Sequence, residues 1–457
     1  MDVPCPASID ARVYRPRRPR ESPLYRLVEG SFDEFERVYA ERYQKRYGFW
    51  RPVVADAAAK FLRCGDLRHG FARVRCGTCR HEFLVAFSCR RRCLCPSCHQ
   101  KRGLVMAAHI AEDVCAAVPH RQFVFTIPKR FRLFFRFDRK LLGDLARLGW
   151  QTILEVYRAV LDRGDAGPGS IVPGAAAAIQ TFGQLIHWHP HVHALVTDGA
   201  FTPDGVFVPL PSVDDEPFTR VFREKVFALL QRRGLIDDRI VREMRGWRHS
   251  GFSVDRSVRL AAGDRRGRER LARYLVRCPF SLSRMIRVTE EGKVLYRAEK
   301  AECRRFPGGG GFRAAKAGAE LFGGVSRNFQ VFDPLDFLAE VTQHVPDPWE
   351  HLVRDWVWNW GWYTNKTRGL RAKSRRDGRE ATGELTIDID DSCTPGQAAR
   401  RRRWAQLIQR VFEVDPLTCA RCGGQMKVIG FNRAMPARSD WTDPASPRAG
   451  SAAPATA

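Results

Sequence analysis

Four histidines alternate through the run His187-Trp188-His189-Pro190-His191-Val192-His193-Ala194-Leu195-Val196. Side chains of an extended strand point to opposite faces in turn, so His191 and His193 share one face while Val192 anchors the other. Two neutral imidazoles held side by side on a rigid strand make a metal-binding edge, histidine being the commonest metal ligand. A lone histidine there would read as a core residue; four within seven positions favour a metal. Two imidazoles leave coordination positions open for substrate, as a catalytic ion requires. Such an ion polarises a scissile phosphate and stabilises the charge developing on its oxygens. A third ligand is expected from an adjacent strand, with Gln180 first and Gln184 and His189 behind it.

A second constellation is rich in thiols. Cys76-Gly77-Thr78-Cys79 and Cys95-Pro96-Ser97-Cys98 are two-residue-spaced pairs separated by the 15 residues Arg80 to Leu94. Each short turn directs both sulfurs inward to grip one edge of a tetrahedron, so the spacing predicts a structural zinc held by Cys76, Cys79, Cys95 and Cys98. Cys64, Cys89, Cys93, His69, His81 and His99 are spare ligands. Arg90, Arg91, Arg92, Lys101 and Arg102 lie between and after the pairs; on a metal-stapled module they become a phosphate-contacting surface. A later pair, Cys419-Ala420-Arg421-Cys422, resembles half a zinc ribbon with no second pair after it. It is expected either to borrow ligands from elsewhere, such as Cys393, or to remain incomplete.

A nucleophile is expected at Tyr274, in the basic helical stretch Arg268-Glu269-Arg270-Leu271-Ala272-Arg273-Tyr274-Leu275-Val276-Arg277. Arg270 lies one turn earlier on its face and Arg277 just under a turn beyond, placed to hold a phosphate against the phenol. The bland alternative is a tyrosine at a helix–core boundary.

The chemistry fits the charge. Lys plus Arg number 77 against 51 Asp plus Glu, a formal net charge of +26. That excess favours a polyanion, and nucleic acid over an anionic membrane, because no apolar run approaches the roughly 20 residues of a membrane helix. The N-terminal residues lack a secretory signal's layout, and seven of the 14 cysteines crowd between Cys64 and Cys98 at metal spacing. A reducing, cytoplasmic, nucleoid-associated setting is expected. No phosphate-binding loop is present and Gly308 to Gly311 is too unpatterned for one, so no nucleotide cofactor is expected.

The elements that must position these residues follow from periodicity. Helices are expected over residues 31–63 (Phe32, Phe35, Val38 and Tyr39 on one face), 103–117, 137–163, 216–233 and 265–277. Strands are expected at 122–127, 177–182 and 192–197, the last two as antiparallel neighbours. A turn at Asp198-Gly199 leads to Val206-Phe207-Val208-Pro209, and a hairpin spans Ile286 to Tyr296. This order predicts an α+β fold with a mixed or antiparallel sheet. Trp360, Trp362 and Tyr363 precede Lys366, Arg368, Arg371, Lys373, Arg375 and Arg376. Rings beside a basic stripe suit single-stranded DNA, although the same tryptophans could pack in a core.

The chain resembles the rolling-circle transposases of the insertion-sequence ninety-one class, within the HUH endonuclease superfamily. The resemblance runs from about residue 31 to about residue 430. It is carried by Gly70–Cys76, Phe87–Cys89, Cys95–Cys98, Arg121–Arg130, His189-Pro190-His191-Val192-His193, Leu271–Tyr274, Asn328–Pro334 and Gly361–Gly369. It implies a ferredoxin/RRM-like HUH core, with a mostly antiparallel sheet, preceded by a small Cys-rich zinc-binding domain. It also implies Mg²⁺ or Mn²⁺ at the histidine pair, and a nick in single-stranded DNA at element ends. Tyr274 would become linked to the 5′ phosphate, leaving a free 3′ hydroxyl, and strand transfer would need no ATP. The expected organisation is a basic arm over 1–30, a zinc-binding DNA-recognition domain over 31–119 and a catalytic domain over 120–345. A basic aromatic region with the lone cysteine pair (346–435) and a disordered tail (436–457) complete it.

Three departures stand out. Many relatives carry a second tyrosine one turn upstream, where this chain has Arg270; Asp355–Trp360 replaces a more tyrosine-rich sequence; and low-complexity sequence follows Phe431. Competing classes are a replication initiator or relaxase, a zinc-stapled DNA-binding protein that has lost catalysis, and a metal hydrolase of small substrates.

Overall fold

The computed structural model describes residues 19–91, 93–161, 171–183, 185–289, 292–298, 304–305, 326–347, 358–380 and 418–432. The chain divides into two compact units that are each discontinuous in sequence. One comprises residues 1–21, 60–89 and 390–457; the other comprises 22–59 and 90–389. This division crosses the successive boundaries expected above: residues 22–59 and the Cys95–Cys98 pair fall in the larger unit.

The smaller unit is built on a three-stranded antiparallel sheet. Strand β1 (Phe71–Cys76) lies between β2 (Glu82–Ala86) and the C-terminal strand Met426–Asn432. β1 and the C-terminal strand run in register from Phe71 opposite Asn432 to Cys76 opposite Met426, with one irregularity after Arg73. Val74, Cys76, Cys419 and Met426 form its small core, flanked by Phe83 and Val85.

The larger unit is α+β. Its antiparallel sheet has the order Trp358–Gly361, β4 (Gly174–Phe182), β5 (Trp188–Thr197), β3 (His120–Thr126) and Ser253–Asp255, with Arg259–Leu260 also pairing β3. β5 is central, so a two-residue period decides what each face meets. On one side Phe123, Phe125, Ala175, Ala177, Val192, Ala194 and Val196 join the main core under helices Lys140–Leu161 and Glu216–Arg232. On the other, Ala176, Ala178 and Leu195 pack against Ala107, Ile110, Ala272, Leu275 and Val276. The alanines of β4 leave room for bulky neighbours: Trp358 and Trp360 stand opposite Ala177 and Ala175.

The expected strands and the helices at 140–161, 216–232 and 265–275 are present. The first long helix begins earlier than expected, at Pro23, because Ser22 accepts a bond from the Tyr25 N–H and proline suits the first helical turn. Leu24, Tyr25, Leu27 and Val28 are buried, so these residues are not a loose arm. The region expected as one helix over 31–63 breaks into Pro23–Arg42, Gln44–Tyr47 and Pro52–Leu62, with Gly48 at φ 92°. The Tyr43 hydroxyl donates to Asp336 (2.7 Å), and Tyr47 and Arg46 hold Glu340 at 2.8 and 3.0 Å. These bonds fix the N-terminal helices to the helix Pro334–Thr342, which the periodicity reading did not find. Residues 308–311 and 436–457, and Cys393, Gln184 and Arg92, lie outside the described residues.

Candidate active site and thiolate cluster

His191 and His193 project from the face of β5 that meets the helix Arg265–Leu275. Across the sheet His191 stands opposite Gln180 and Thr126, and His193 opposite Ala178 and Val124. The two rings lie 4.7 Å apart between centroids. Burial pulls His191 down to about 4. Burial, with the neighbouring His191 and Arg277, holds His193 well below its ordinary value. Both rings are therefore neutral near pH 7, the form that ligates metals.

Their tautomers are set differently. The His191 Nδ1–H donates to the His189 carbonyl oxygen at 2.7 Å, which leaves the Nε2 lone pair for a ligand. His193 Nδ1 faces the Gln122 amide nitrogen at 3.3 Å, and its buried Nε2 has no hydrogen-bond partner among the described residues. An orphaned buried ring nitrogen beside a second neutral imidazole suits a divalent ion. A half-turn of the Gln122 amide presents its oxygen to Nδ1–H, which places the lone pair on Nε2. Gln122, on β3, escaped the sequence reading; its strand position, two residues from Val124, was the available signal.

Tyr274 is brought to this pair. Its ring lies edge-on to His193, 5.1 Å between centroids, and it is 39% exposed, so a strand end can reach it. The Arg277 guanidinium sits 4.3 Å from the Tyr274 ring centroid, while Arg270 is exposed one turn earlier. Helix Arg265–Leu275 starts on an Asp264 cap that accepts from the Gly267 N–H at 2.7 Å. Its other end is fixed by Gln180, whose amide nitrogen donates to the carbonyl oxygens of Tyr274 (2.6 Å) and Leu275 (3.3 Å). The Gln180 oxygen accepts from Arg277 Nε at 3.2 Å. Gln180, expected as a metal ligand, is thus engaged as a latch between β4 and the tyrosine helix. His99 Nε2 meets the Val276 carbonyl oxygen at 2.9 Å just beyond. A cavity of about 980 Å³ opens alongside, lined in part by Phe182, Arg273, Arg277, Arg284 and Arg297.

The thiols are grouped differently from the expectation. Cys76 and Cys79 meet Cys419 and Cys422, with all four sulfurs within 4.8 Å of one another. Cys95 and Cys98 lie in the other unit, at the start of helix Pro96–His109. Spacing along the chain misled here because the partner pair is some 340 positions away. Backbone N–H groups of Cys79 and Thr78 aimed at Cys76 draw its thiol down to about 6. The His81 N–H pulls Cys79 the same way, but the Cys422 sulfur, with those of Cys419 and Cys76, outweighs it, raising Cys79 to about 12. Sulfurs this crowded cannot all ionise without a cation among them.

Of the expected DNA-contacting residues, Arg90, Arg270 and Lys366 are exposed. Arg91 pairs with Asp56 at 2.6 Å, and Arg368 donates to the Asp113 carbonyl oxygen at 3.1 Å. Lys101 and Arg102 are half-buried on helix Pro96–His109. The aromatic stripe is a packing device: Tyr363 is buried and bonds His120 Nε2 at 2.7 Å. Trp360 stacks on Trp150 at 6.0 Å and Trp362 on Phe201 at 4.4 Å. The Arg375 and Arg376 side chains lie outside the described residues.

A histidine pair and a tyrosine on facing elements of a basic α+β unit, in a chain that also carries a thiolate-bearing module, are matched by similarity to DNA-processing proteins. A family model described as "Putative transposase" matches residues 174–368, and one described as "Transposase zinc-binding domain" matches 35–127. The "Transposase for insertion sequence element IS801" of Pseudomonas savastanoi pv. phaseolicola is 23% identical over 394 residues, covering 83% of this chain and 84% of that protein. A "Putative transposase y4qJ" of Sinorhizobium fredii is 26% identical over 174 residues, 37% of this chain and 41% of that protein. No solved structure matches. Over these segments the chain is similar to transposases of the IS91 type. It carries a structural zinc-binding region, and no helix among the described residues is long and apolar enough to cross a membrane.

Proposed function

We propose that this transposase nicks single-stranded DNA at element ends by attack of Tyr274, giving a 5′-phosphotyrosine and a free 3′ hydroxyl, and then transfers the strand. The observation that carries the reading is the edge-on contact of Tyr274 with His193, 5.1 Å between ring centroids, on the face where His191 also lies. His191 and His193 would hold a Mg²⁺ or Mn²⁺ ion, which when bound neutralises charge on the scissile phosphate. The chain's own groups do the rest. Gln180 fixes the helix end, so the phenol keeps its place against the sheet. Arg277, beside the phenol, is positioned for the phosphate oxygens. The cavity lined by Arg273, Arg284 and Arg297 offers the adjoining backbone a basic path. The Tyr274 phenol gives up its proton to solvent, and its oxygen forms a bond to phosphorus as the bond to the 3′ oxygen breaks. The released alkoxide takes a proton, and the ester bond energy is conserved for rejoining.

The test uses purified protein, Mn²⁺ and a labelled single-stranded oligonucleotide carrying an element end. A denaturation-resistant protein–DNA adduct is expected with the unaltered chain and none with Tyr274→Phe, while DNA binding persists in both. Binding without any adduct would leave a DNA-binding protein, and cleavage surviving Tyr274→Phe would leave an ordinary nuclease.

A further inference from the structure

The zinc-binding family match ends at residue 127, yet Cys76 and Cys79 meet two cysteines close to the far end of the chain. We propose that Cys76, Cys79, Cys419 and Cys422 form one tetrathiolate zinc site, a clasp whose halves come from opposite ends of the sequence.

Sulfur geometry is the first support. Zinc–thiolate bonds of about 2.3 Å in a tetrahedron place the sulfurs about 3.8 Å apart. Cys76 Sγ lies 3.6 Å from Cys422 Sγ, Cys79 Sγ lies 3.5 Å from Cys419 Sγ, and no pair exceeds 4.8 Å. These separations are far longer than a disulfide bond of about 2.05 Å. They match four ligands around a common centre.

The backbone is the second support, and it is independent of the sulfurs. The two pairs sit in turns of the same construction. The Cys76 N–H donates to the His81 carbonyl oxygen at 2.8 Å, and the Cys419 N–H donates to that of Gly424 at 2.8 Å, each five residues on. The residue after the second cysteine has a left-handed backbone in both turns, Arg80 at φ 59° and Gly423 at φ 72°. Glycine adopts that conformation freely; an arginine there costs roughly 1 kcal/mol and persists only where its surroundings demand it. The turns are tied to each other as well, by the Gly77 N–H donating to the Gln425 carbonyl oxygen at 3.0 Å. A Cβ on Gly424 would fall 2.6 Å from Thr78 Oγ1, so the approach leaves no room for a side chain. Two matching cysteine turns facing each other across paired strands form a zinc ribbon assembled from distant segments.

Accessibility supplies a test that needs no substitution. Cys79 and Cys422 are exposed, whereas Cys76 and Cys419 are buried. In zinc-loaded full-length protein treated with N-ethylmaleimide, Cys79 and Cys422 should both resist alkylation, and a chelator should release them together. Equal alkylation of Cys422 with and without zinc would overturn the proposal. In parallel, Cys422→Ser should lower bound zinc by about one equivalent per chain, and Cys79→Ser with Cys422→Ser should remove that same equivalent and no more. Wild-type zinc content in Cys422→Ser would equally refute the clasp. Should the variants not fold, the alkylation of the unaltered chain still decides.

Discussion

His193 keeps one nitrogen against Gln122 and the other, buried, against no described partner, an arrangement whose cost a bound cation would offset. The neighbour on Nδ1 then decides which nitrogen holds the lone pair, so Gln122 is a positioning residue. We expect Gln122→Leu to raise the Mn²⁺ concentration for half-maximal adduct formation by roughly 10–100-fold. Gln122→Glu should restore much of that loss by accepting from Nδ1–H. An unchanged Mn²⁺ requirement in Gln122→Leu would remove this role. The histidine pair was legible in the sequence because a two-residue period needs no tertiary knowledge. Gln122 was not, since only sheet register reveals which side chain of a neighbouring strand meets an imidazole.

At the scale of elements, the strand β4 and the tyrosine helix are joined by one amide. Gln180 spends both donors on helix-end carbonyls and its oxygen on Arg277, so its loss should loosen the phenol without changing the ion's ligands. Gln180→Ala is expected to slow adduct formation roughly 10–100-fold while leaving the Mn²⁺ dependence where it was. A shifted Mn²⁺ midpoint with an unchanged saturating rate would instead make Gln180 a ligand. Residue type alone placed Gln180 at the site but not its task, because an amide serves as ligand or latch with equal chemistry. The strands and most helices were readable from period and breakers. The Trp358–Gly361 strand was not, since its tryptophans make sense only once Ala175 and Ala177 are seen opposite them. The cysteine turns were recognised singly, but nothing in local spacing says that turns some 340 positions apart will meet.

For the larger unit as a whole, buried histidines set a pH dependence. Burial lowers His120 to about 4, His191 to about 4 and His344 to about 3, against about 6.5 in an unfolded chain. The unfolded state therefore binds more protons between pH 6.5 and the folded values. Stability from these neutral rings is complete above about pH 6.5 and is lost as pH falls toward about 4. His120 alone corresponds to roughly 3 kcal/mol at most. Urea midpoints measured in metal-free buffer should drop steadily from pH 7 to pH 4.5, and a flat profile would show that these rings are not held neutral.

The split thiolate set also orders events in time. A ribosome delivers the first cysteine turn hundreds of residues before the second, so the hairpin of β1 and β2 emerges with half a coordination shell and no third strand. A chain released early, just short of Thr418, would retain both imidazoles and the phenol while lacking the metal-sealed ribbon. The second cysteine turn thus waits on late synthesis, whereas the imidazoles and the phenol are already made.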